Sequence, residues 1–218
     1  LQQESTLCVP RVQPLSEAER DVWMQDVQLG ARLKHPHLAQ VLEVGVHEGW
    51  PFVILERGDL LTLGERLAEG APLTAQEAAG IVVDVLDGLA YAHEAGLVHQ
   101  DIGLHSVLLD RSGRARLAAL GVGLRAGAAG QPRRPLLDLY GLRLACERDV
   151  LMVGLLLHRL LANQPALDEP DLGNAVVRVG NEIVRLPWST PQAVPDPLRA
   201  IANRATDRQQ RQRYLSAR

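Results

Sequence analysis

The stretch of sequence that decides the fold is "LVHQDIGLHSVLLD", residues 97–110. It places His99, Asp101 and further polar side chains between two apolar runs. A histidine close to a carboxylate can carry out general acid–base chemistry. The same two side chains can instead hold a loop in shape through hydrogen bonds. The segments on either side of the loop help to decide between these two uses.

The loop lies between a predicted helix and a predicted hairpin. "TAQE" at residues 74–77 has the spacing of a capping box, which satisfies the free amide groups at a helix start. Apolar residues then recur at helical spacing until Gly96, namely Ile81, Val85, Leu89 and Ala92. After the loop, two apolar segments separated by "RSG" at residues 111–113 predict a short β-hairpin.

Further elements are predicted upstream and downstream. "SEAE" at residues 16–19 predicts the start of a helix that ends before "HP" at 35–36. "VLEVGV" and "PFVIL", which flank "HEGW" at 47–50, predict a second hairpin. A buried helix near 149–162 and another around 197–206 follow. This order predicts an α+β fold of two unequal lobes with a cleft between them, where a ligand would bind.

The composition excludes several classes of partner. With a formal net charge of −3, the 218-residue chain has no basic excess that would favour nucleic acid or an acidic membrane surface. Cys8 and Cys146 have neither metal-ligand nor disulfide spacing, so we expect a reducing, cytoplasmic environment. The longest apolar run, residues 150–157, is too short to cross a bilayer. Because the chain begins at Leu1 without a methionine, we expect it to be one domain of a longer protein.

The basic residues are strongly biased towards arginine. Of the 23 basic residues, 22 are arginine, and Lys34 is the sole lysine. Genomic base composition accounts for a bias of this kind. Its chemical consequence remains, because arginine and lysine are not interchangeable at sites that grip a phosphate.

Four segments, in order along the chain, together resemble a protein kinase domain of the bacterial serine/threonine type. They are "GARLKHPHLAQVLEVGVHEGWPFVILERGDLLTLGERL" (30–67), "GLAYAHEAGLVHQDIGLHSVLLDRSGRARLAALGVG" (88–123), "ERDVLMVGLLLHRLLANQPAL" (147–167) and "LRAIANRATDRQQRQRYLSAR" (198–218). The resemblance implies a two-lobed kinase-like fold. Residues 1–58 would form a partial, β-rich N-lobe, and residues 59–218 a larger, mainly helical C-lobe.

The resemblance also shows which parts of the family's machinery this chain lacks near its start. In the family, a Gly-rich loop and a strand lysine hold the nucleotide phosphates, while an Asp and an Asn hold Mg²⁺. The Gly-rich loop would precede Leu1. The lysine position falls on Pro10 or, with a slip of one residue, on Arg11, and the glutamate that pairs with this lysine falls on Asp26.

The segment quoted first, residues 97–110, is called the opening stretch below. Within it, the family pattern H-R-D-x-K-x-x-N corresponds to residues 99–106. The proton-accepting aspartate is retained as Asp101. The phosphate-contacting lysine becomes Gly103, and the metal-binding asparagine becomes Ser106. Gln100 replaces the arginine that can dock an activation-loop phosphate. The resemblance therefore implies a loop that keeps its proton acceptor and loses its other chemical groups.

The D-F-G triplet of the family falls on Ala119, Leu120 and Gly121, so the main metal-binding carboxylate is lost. Other matching positions are those that brace the loop and the large lobe in the family: His99, Asp101, Gly121, Asp149 and Arg213. The residues that match the hinge are Leu55, which guards the pocket, and Glu56, Arg57 and Gly58, whose backbone groups could hold an adenine ring.

From these losses and retentions we expect a pseudokinase, a kinase-like domain without catalysis that binds another protein or another domain of its parent chain in bacterial signalling. In this hypothesis Asp101 is structural, no metal or nucleic acid binds, and no cofactor is required. Two alternatives stay open, namely a weakly active or atypical ATP-dependent serine/threonine kinase and a nucleotide-sensing pseudokinase.

Overall fold

The computed structural model describes residues 4–10, 16–122, 139–164, 186–188, 193–207 and 209–218. Its first sheet contains three strands, β1 (Ser5–Cys8), β2 (Val41–His47) and β3 (Trp50–Glu56). β3 lies in the middle, and both neighbours run antiparallel to it. Helix α1 (Glu17–Arg32) packs against β2 and β3.

Two predictions for this first region are confirmed. The β2–β3 hairpin forms with a two-residue turn, in which Glu48 and Gly49 have φ values of 49° and 81°. Two successive positive φ values are typical of the type I′ turn, whose twist matches that of the flanking strands. The predicted helix α1 ends at Arg32, before the "HP" dipeptide at 35–36.

The second region begins with helix α2 (Leu63–Ala68), followed by α3 (Ala75–Glu94). Each helix starts with a capping box, in which a threonine hydroxyl and a glutamate carboxylate accept each other's backbone N–H groups. The box at residues 74–77 is confirmed, whereas the box at 62–65 was not predicted. A second sheet combines β4 (Leu61–Thr62), β5 (Val107–Leu109) and β6 (Ala115–Leu117), in the order β4-β5-β6. The predicted hairpin after the opening stretch is the β5–β6 pair.

The remaining described helices are α4 (Leu139–Ala162), α5 (Asp196–Ala205) and one 3₁₀ turn (Gln210–Gln212). The helix predicted near 149–162 starts ten residues earlier than expected. Its first residues, Leu139 and Tyr140, are 86% and 70% exposed, so burial-based patterning does not reveal them. No helix in the described part of the chain is both long and apolar enough to span a membrane.

Two hydrophobic clusters hold the fold together. The smaller one joins α1 and the first sheet to the end of the opening stretch, and it contains Trp23, Val27, Val53, Leu55, Leu60, Leu108, Ala118 and Val122. The larger one is built mainly from α3 and α4. The predicted α+β class is therefore confirmed, with a small β-rich region followed by a mainly helical one. The lobe boundary near residue 58 stays a prediction.

Candidate functional site

The opening stretch is anchored to helix α4 by one buried carboxylate. Asp149 has no exposed surface, and it accepts hydrogen bonds from the backbone N–H groups of His99 (2.8 Å) and Gln100 (2.7 Å). Gln100 has a φ of 65°, which is uncommon for a residue with a side chain. These two bonds fix the backbone at the start of the loop in a conformation that the local sequence does not favour.

The same carboxylate forms an ion pair across two helices. Nε2 of His93, in α3, lies 3.0 Å from Oδ2 of Asp149. Burial by itself would lower the pKa of His93, but hydrogen bonds to Asp149 and Cys146 outweigh it and raise the pKa to about 9. The imidazole is therefore charged at neutral pH, and Asp149 balances that charge.

His99 uses both ring nitrogens inside the loop. Its Nε2–H donates to the carbonyl of Ala118 (2.7 Å), and its Nδ1 accepts from the backbone N–H of Asp101 (3.2 Å). Burial lowers the pKa of His99, so the ring is neutral. With both nitrogens engaged and almost no exposed surface, the ring joins two backbone segments and has no nitrogen left for proton transfer.

Asp101 lies closer to the surface and has a partner that the sequence did not reveal. Its Oδ2 is 3.3 Å from Nε2 of His105, and their side chains are 23% and 53% exposed. The two residues are four apart, and this spacing was the available signal. The retained carboxylate thus faces an imidazole of its own loop.

The two positions that correspond to the family's lysine and asparagine bring no charge to the site, since they hold Gly103 and Ser106. The buried Oγ of Ser106 accepts from the backbone N–H of Gly103 (2.9 Å) and donates to the carbonyl of the same residue (3.1 Å). Gly103 itself brings no charge. The hydroxyl therefore closes a turn of the loop.

Ala119 keeps the backbone conformation of a tight turn without a carboxylate. Its φ is 61°, in the left-handed region that costs about 1–2 kcal/mol for a residue with a side chain. The carbonyl of Ala119 accepts from the N–H of Val122 (3.0 Å), and Gly121 has a φ of 76°. Among the described residues, no group of three or more His, Cys, Asp or Glu side chains could hold a metal ion.

Helix α1 packs directly against this turn. The indole N–H of Trp23 donates to the carbonyl of Val122 (3.1 Å). A Cβ placed on Gly121 would lie 3.2 Å from the backbone of Asp26, and one placed on Gly30 would lie 3.3 Å from the carbonyl oxygen of Leu120. A side chain at either glycine would therefore push the neighbouring backbone back by a few tenths of an ångström, which fits a glycine in the last turn of α1.

The first of the two predicted lysine positions brings no cation to Asp26. Pro10 is buried and has no cationic group, and Arg11 lies outside the described residues. Asp26 lies on the side of α1 that faces Gly121. The contacts of α1 with residues 120–122 hold this helix against the turn.

The hinge segment uses its backbone donors within the chain. Leu55 is buried in the smaller cluster, and the N–H groups of Arg57 and Gly58 both lie 3.3 Å from the carbonyl oxygen of Glu4. The N–H of Glu56 donates to the carbonyl of Gln40 (3.0 Å). An adenine ring that approached these N–H groups would compete with contacts that already exist.

Arg213, predicted as a structural residue near the chain end, donates from Nε to the carbonyl of Asp207. Burial lowers the pKa of Arg213, while the carboxylates of Asp207 and Glu147 act in the opposite direction. The guanidinium therefore links the last segment to the region of α4 around Glu147.

The sequence of this chain is similar to those of known protein kinases. Residues 8–134 match the family model described as protein kinase domain. The chain is 28% identical over 216 residues to a probable serine/threonine-protein kinase of Streptomyces coelicolor, covering 88% of this chain and 31% of that protein. It is 29% identical over 198 residues to the serine/threonine-protein kinase PknL of Mycobacterium tuberculosis, covering 86% and 49%. It is 23% identical over 194 residues to a probable serine/threonine-protein kinase PknB of Lactococcus lactis, covering 84% and 31%. The chain thus spans about a third to a half of these relatives' length.

Proposed function

The chain belongs to the protein kinase domain family, and we propose that it is a pseudokinase, which binds another protein or another domain of its parent chain without transferring phosphate. The observation that carries the proposal is Ala119. A methyl group stands where the family holds its main metal ligand, on a backbone that keeps the left-handed turn. Mg²⁺ requires oxygen ligands in near-octahedral order, and Ala119 supplies none from its side chain. The residues present do not fit the metal that the family uses.

Three further positions support the proposal. The hydroxyl of Ser106 is engaged within the loop, Gly103 has no charge, and Pro10 has no cation. Removal of one preorganised electrostatic contact typically costs about 10²–10³ in rate. Such losses are not additive, but a site that lacks the metal ligand and both lysines keeps little of the family's catalysis.

The retained structural contacts support a binding role. Asp149, His93 and His99 form a network of buried hydrogen bonds, and α1 rests on residues 120–122. These contacts fix the relative positions of several surface elements, which is what a scaffold or an allosteric regulator requires. We place this function in the bacterial cytoplasm, in signalling, with a protein rather than a nucleic acid as partner.

An atypical kinase is the second candidate. It is favoured by the partly exposed carboxylate of Asp101, which still stands at the position of the proton acceptor. A third candidate, a nucleotide sensor, requires that adenine displace Glu4 from the hinge N–H groups.

Thermal melting with ATP, with and without Mg²⁺, tests the proposal and separates the three candidates. A ligand at about 100 times its dissociation constant stabilises a protein by about 2.7 kcal/mol. We expect no shift of the melting temperature in either condition. A shift without metal supports the nucleotide sensor, and a shift that needs Mg²⁺ contradicts the proposal in favour of the atypical kinase.

A further inference from the structure

A second cavity, here called the hinge-side groove, lies outside the site described above. It has a volume of about 460 Å³ and is formed where the end of α1 meets the following loop, the end of β3 and the middle of β6. Its walls include Leu33, Lys34, Pro36, Leu38, Glu56 and Arg116. This volume is within the range of ligand sites in proteins. Glu56 and Leu55 point to opposite faces of β3, so the groove does not lie on the side of the pocket that Leu55 guards.

Two cations line this groove. Lys34 is exposed and Arg116 is half-buried, and neither forms an ion pair with a carboxylate in the described part of the chain. Arg116 interacts with the Asp110 carboxylate from beyond ion-pair distance, and Glu56 brings one carboxylate to the groove itself. Both cations can therefore pair with carboxylates of a bound ligand through charge-assisted hydrogen bonds.

The other groups in the groove define the rest of the ligand. His35 is occupied, because its ring stacks on Tyr91 (centroids 5.0 Å apart) and its Nε2 lies 3.6 Å from Asp87. Leu33, Pro36 and Leu38 give one wall an apolar surface. A ligand that fits must therefore combine carboxylates for the two cations with apolar side chains for this wall.

The surroundings favour an extended polypeptide as the ligand. Gln40 lines the groove and directly precedes β2, which pairs only with β3 among the described strands. β2 therefore has a free edge, and Leu42 and Val46 on this strand are 47% and 44% exposed. An extended segment can add to such an edge through its backbone while its side chains enter neighbouring pockets.

We propose that the hinge-side groove binds an acidic, extended segment of a partner protein, with carboxylates on Lys34 and Arg116 and apolar side chains against Leu33, Pro36 and Leu38. This inference rests on the proposed binding function and names the surface and the class of partner. The groove is lined by the end of α1 and β3 from the first region and by Arg116 of β6 from the second, so its occupant contacts both structural regions at once.

Lys34 allows a direct test, because it is the sole lysine of the chain. The probe is a blocked peptide of alternating Glu and Leu, and its control has Lys in place of Glu. The rate at which an amine-reactive reagent acetylates Lys34 is followed by mass spectrometry, with the amino terminus as internal reference. We expect the acidic peptide to slow acetylation of Lys34 at least about tenfold and the basic peptide to have no effect. An unchanged rate with saturating acidic peptide refutes the proposal.

Substitutions give a second, independent readout. Fluorescence anisotropy of the acidic peptide should show at least about tenfold weaker binding to Lys34→Gln and to Arg116→Leu, and unchanged binding to Arg111→Gln, whose partner lies elsewhere on the surface. Arg116→Leu should change the melting temperature of the free protein little, because it removes only a longer-range attraction to Asp110. If Arg111→Gln weakens binding of the acidic peptide equally, the peptide is attracted by the general surface charge, and the proposed binding site is refuted. Mg²⁺-dependent turnover would refute the pseudokinase proposal alone, since Lys34 acetylation does not depend on catalysis.

Discussion

Two groups of residues in and near this loop have opposite characters. At its start, the Asp149 carboxylate binds two backbone N–H groups and the His93 imidazole, and every partner is wholly or largely buried. The second group stands at positions that hold catalytic groups in the family. Gly103 has no side chain there, the hydroxyl of Ser106 is hydrogen-bonded within the loop, and Ala119 has only a methyl group. The shape of the loop depends on the first group, and the chemistry of the family depends on the second. The catalytic groups can therefore be lost while the shape of the loop is kept.

We expect the largest loss of stability when Asp149 is removed. Asp149→Ala leaves two backbone donors and the charge of His93 without a buried partner, and loss of one member of a buried ion pair costs about 3–5 kcal/mol. We expect a loss of this size in the free energy of unfolding, measured by chemical denaturation. His105→Ala, which breaks only the exposed pair with Asp101, should cost about 1 kcal/mol or less. Similar losses in the two variants would show that Asp149 does not anchor the loop.

The His93–Asp149 pair should also appear in the pH dependence of stability. The pKa of His93 is raised from 6.5 to about 9 in the folded protein, so its contribution is fully present below pH 6.5 and is lost as the pH rises through 9. This difference between the pKa values of His93 in the unfolded and folded protein corresponds to about 3 kcal/mol in the free energy of unfolding. The pKa values of His99 and His158 are lowered by burial, so their contributions are lost instead as the pH falls below 6.5.

Melting temperatures from pH 5 to about pH 10 would check both limbs of this profile. His93→Gln should abolish the loss at alkaline pH and leave the loss at acid pH. If the alkaline loss persists in His93→Gln, the ion pair is not its origin.

A smaller effect is expected at the contact between α1 and the turn. Gly121→Ala combines an unfavourable positive φ with a Cβ placed 3.2 Å from the Asp26 backbone, and we expect a loss of about 2–3 kcal/mol. Gly96→Ala is the matched control, because Gly96 has a φ of 79° and open space around its Cβ position. Its loss should be about 1–2 kcal/mol, from the backbone alone. Equal losses in thermal unfolding would mean that α1 does not press on Gly121.

The smallest change in stability is expected at Ala119. Ala119→Gly relieves the left-handed strain at φ 61° and should raise the free energy of unfolding by about 0.5–1 kcal/mol, after the entropic cost of glycine. Ala118→Gly, at the buried neighbour without a positive φ, should lower it. If Ala119→Gly destabilises the protein, the turn is not held in the conformation described.

Local patterns predicted much of the fold. The capping box at 74–77 and both hairpins depend on residues within a few positions of each other, and all three are found where expected. The start of α4 was not predicted, because none of its residues before Glu147 is buried and this part of the helix has no core-facing apolar stripe.

The candidate site was harder to predict because its contacts are distant in sequence. The bond from Trp23 to Val122 joins residues 99 positions apart, and His93 and Asp149 are 56 apart. From the sequence alone, Gly30 is only a residue that costs a helix about 1 kcal/mol relative to alanine. Its reason, the nearby carbonyl of Leu120, is visible only once the chain is folded.

The measurement that tests the central claim most directly is phosphate transfer from labelled ATP, with Mg²⁺ and separately with Mn²⁺, to the protein itself and to a general acceptor protein. The assay uses the full-length parent and its Asp101→Asn variant. We predict that neither protein transfers phosphate above the protein-free background. Turnover that requires metal in the parent and disappears in Asp101→Asn would contradict the account and identify the chain as a working kinase.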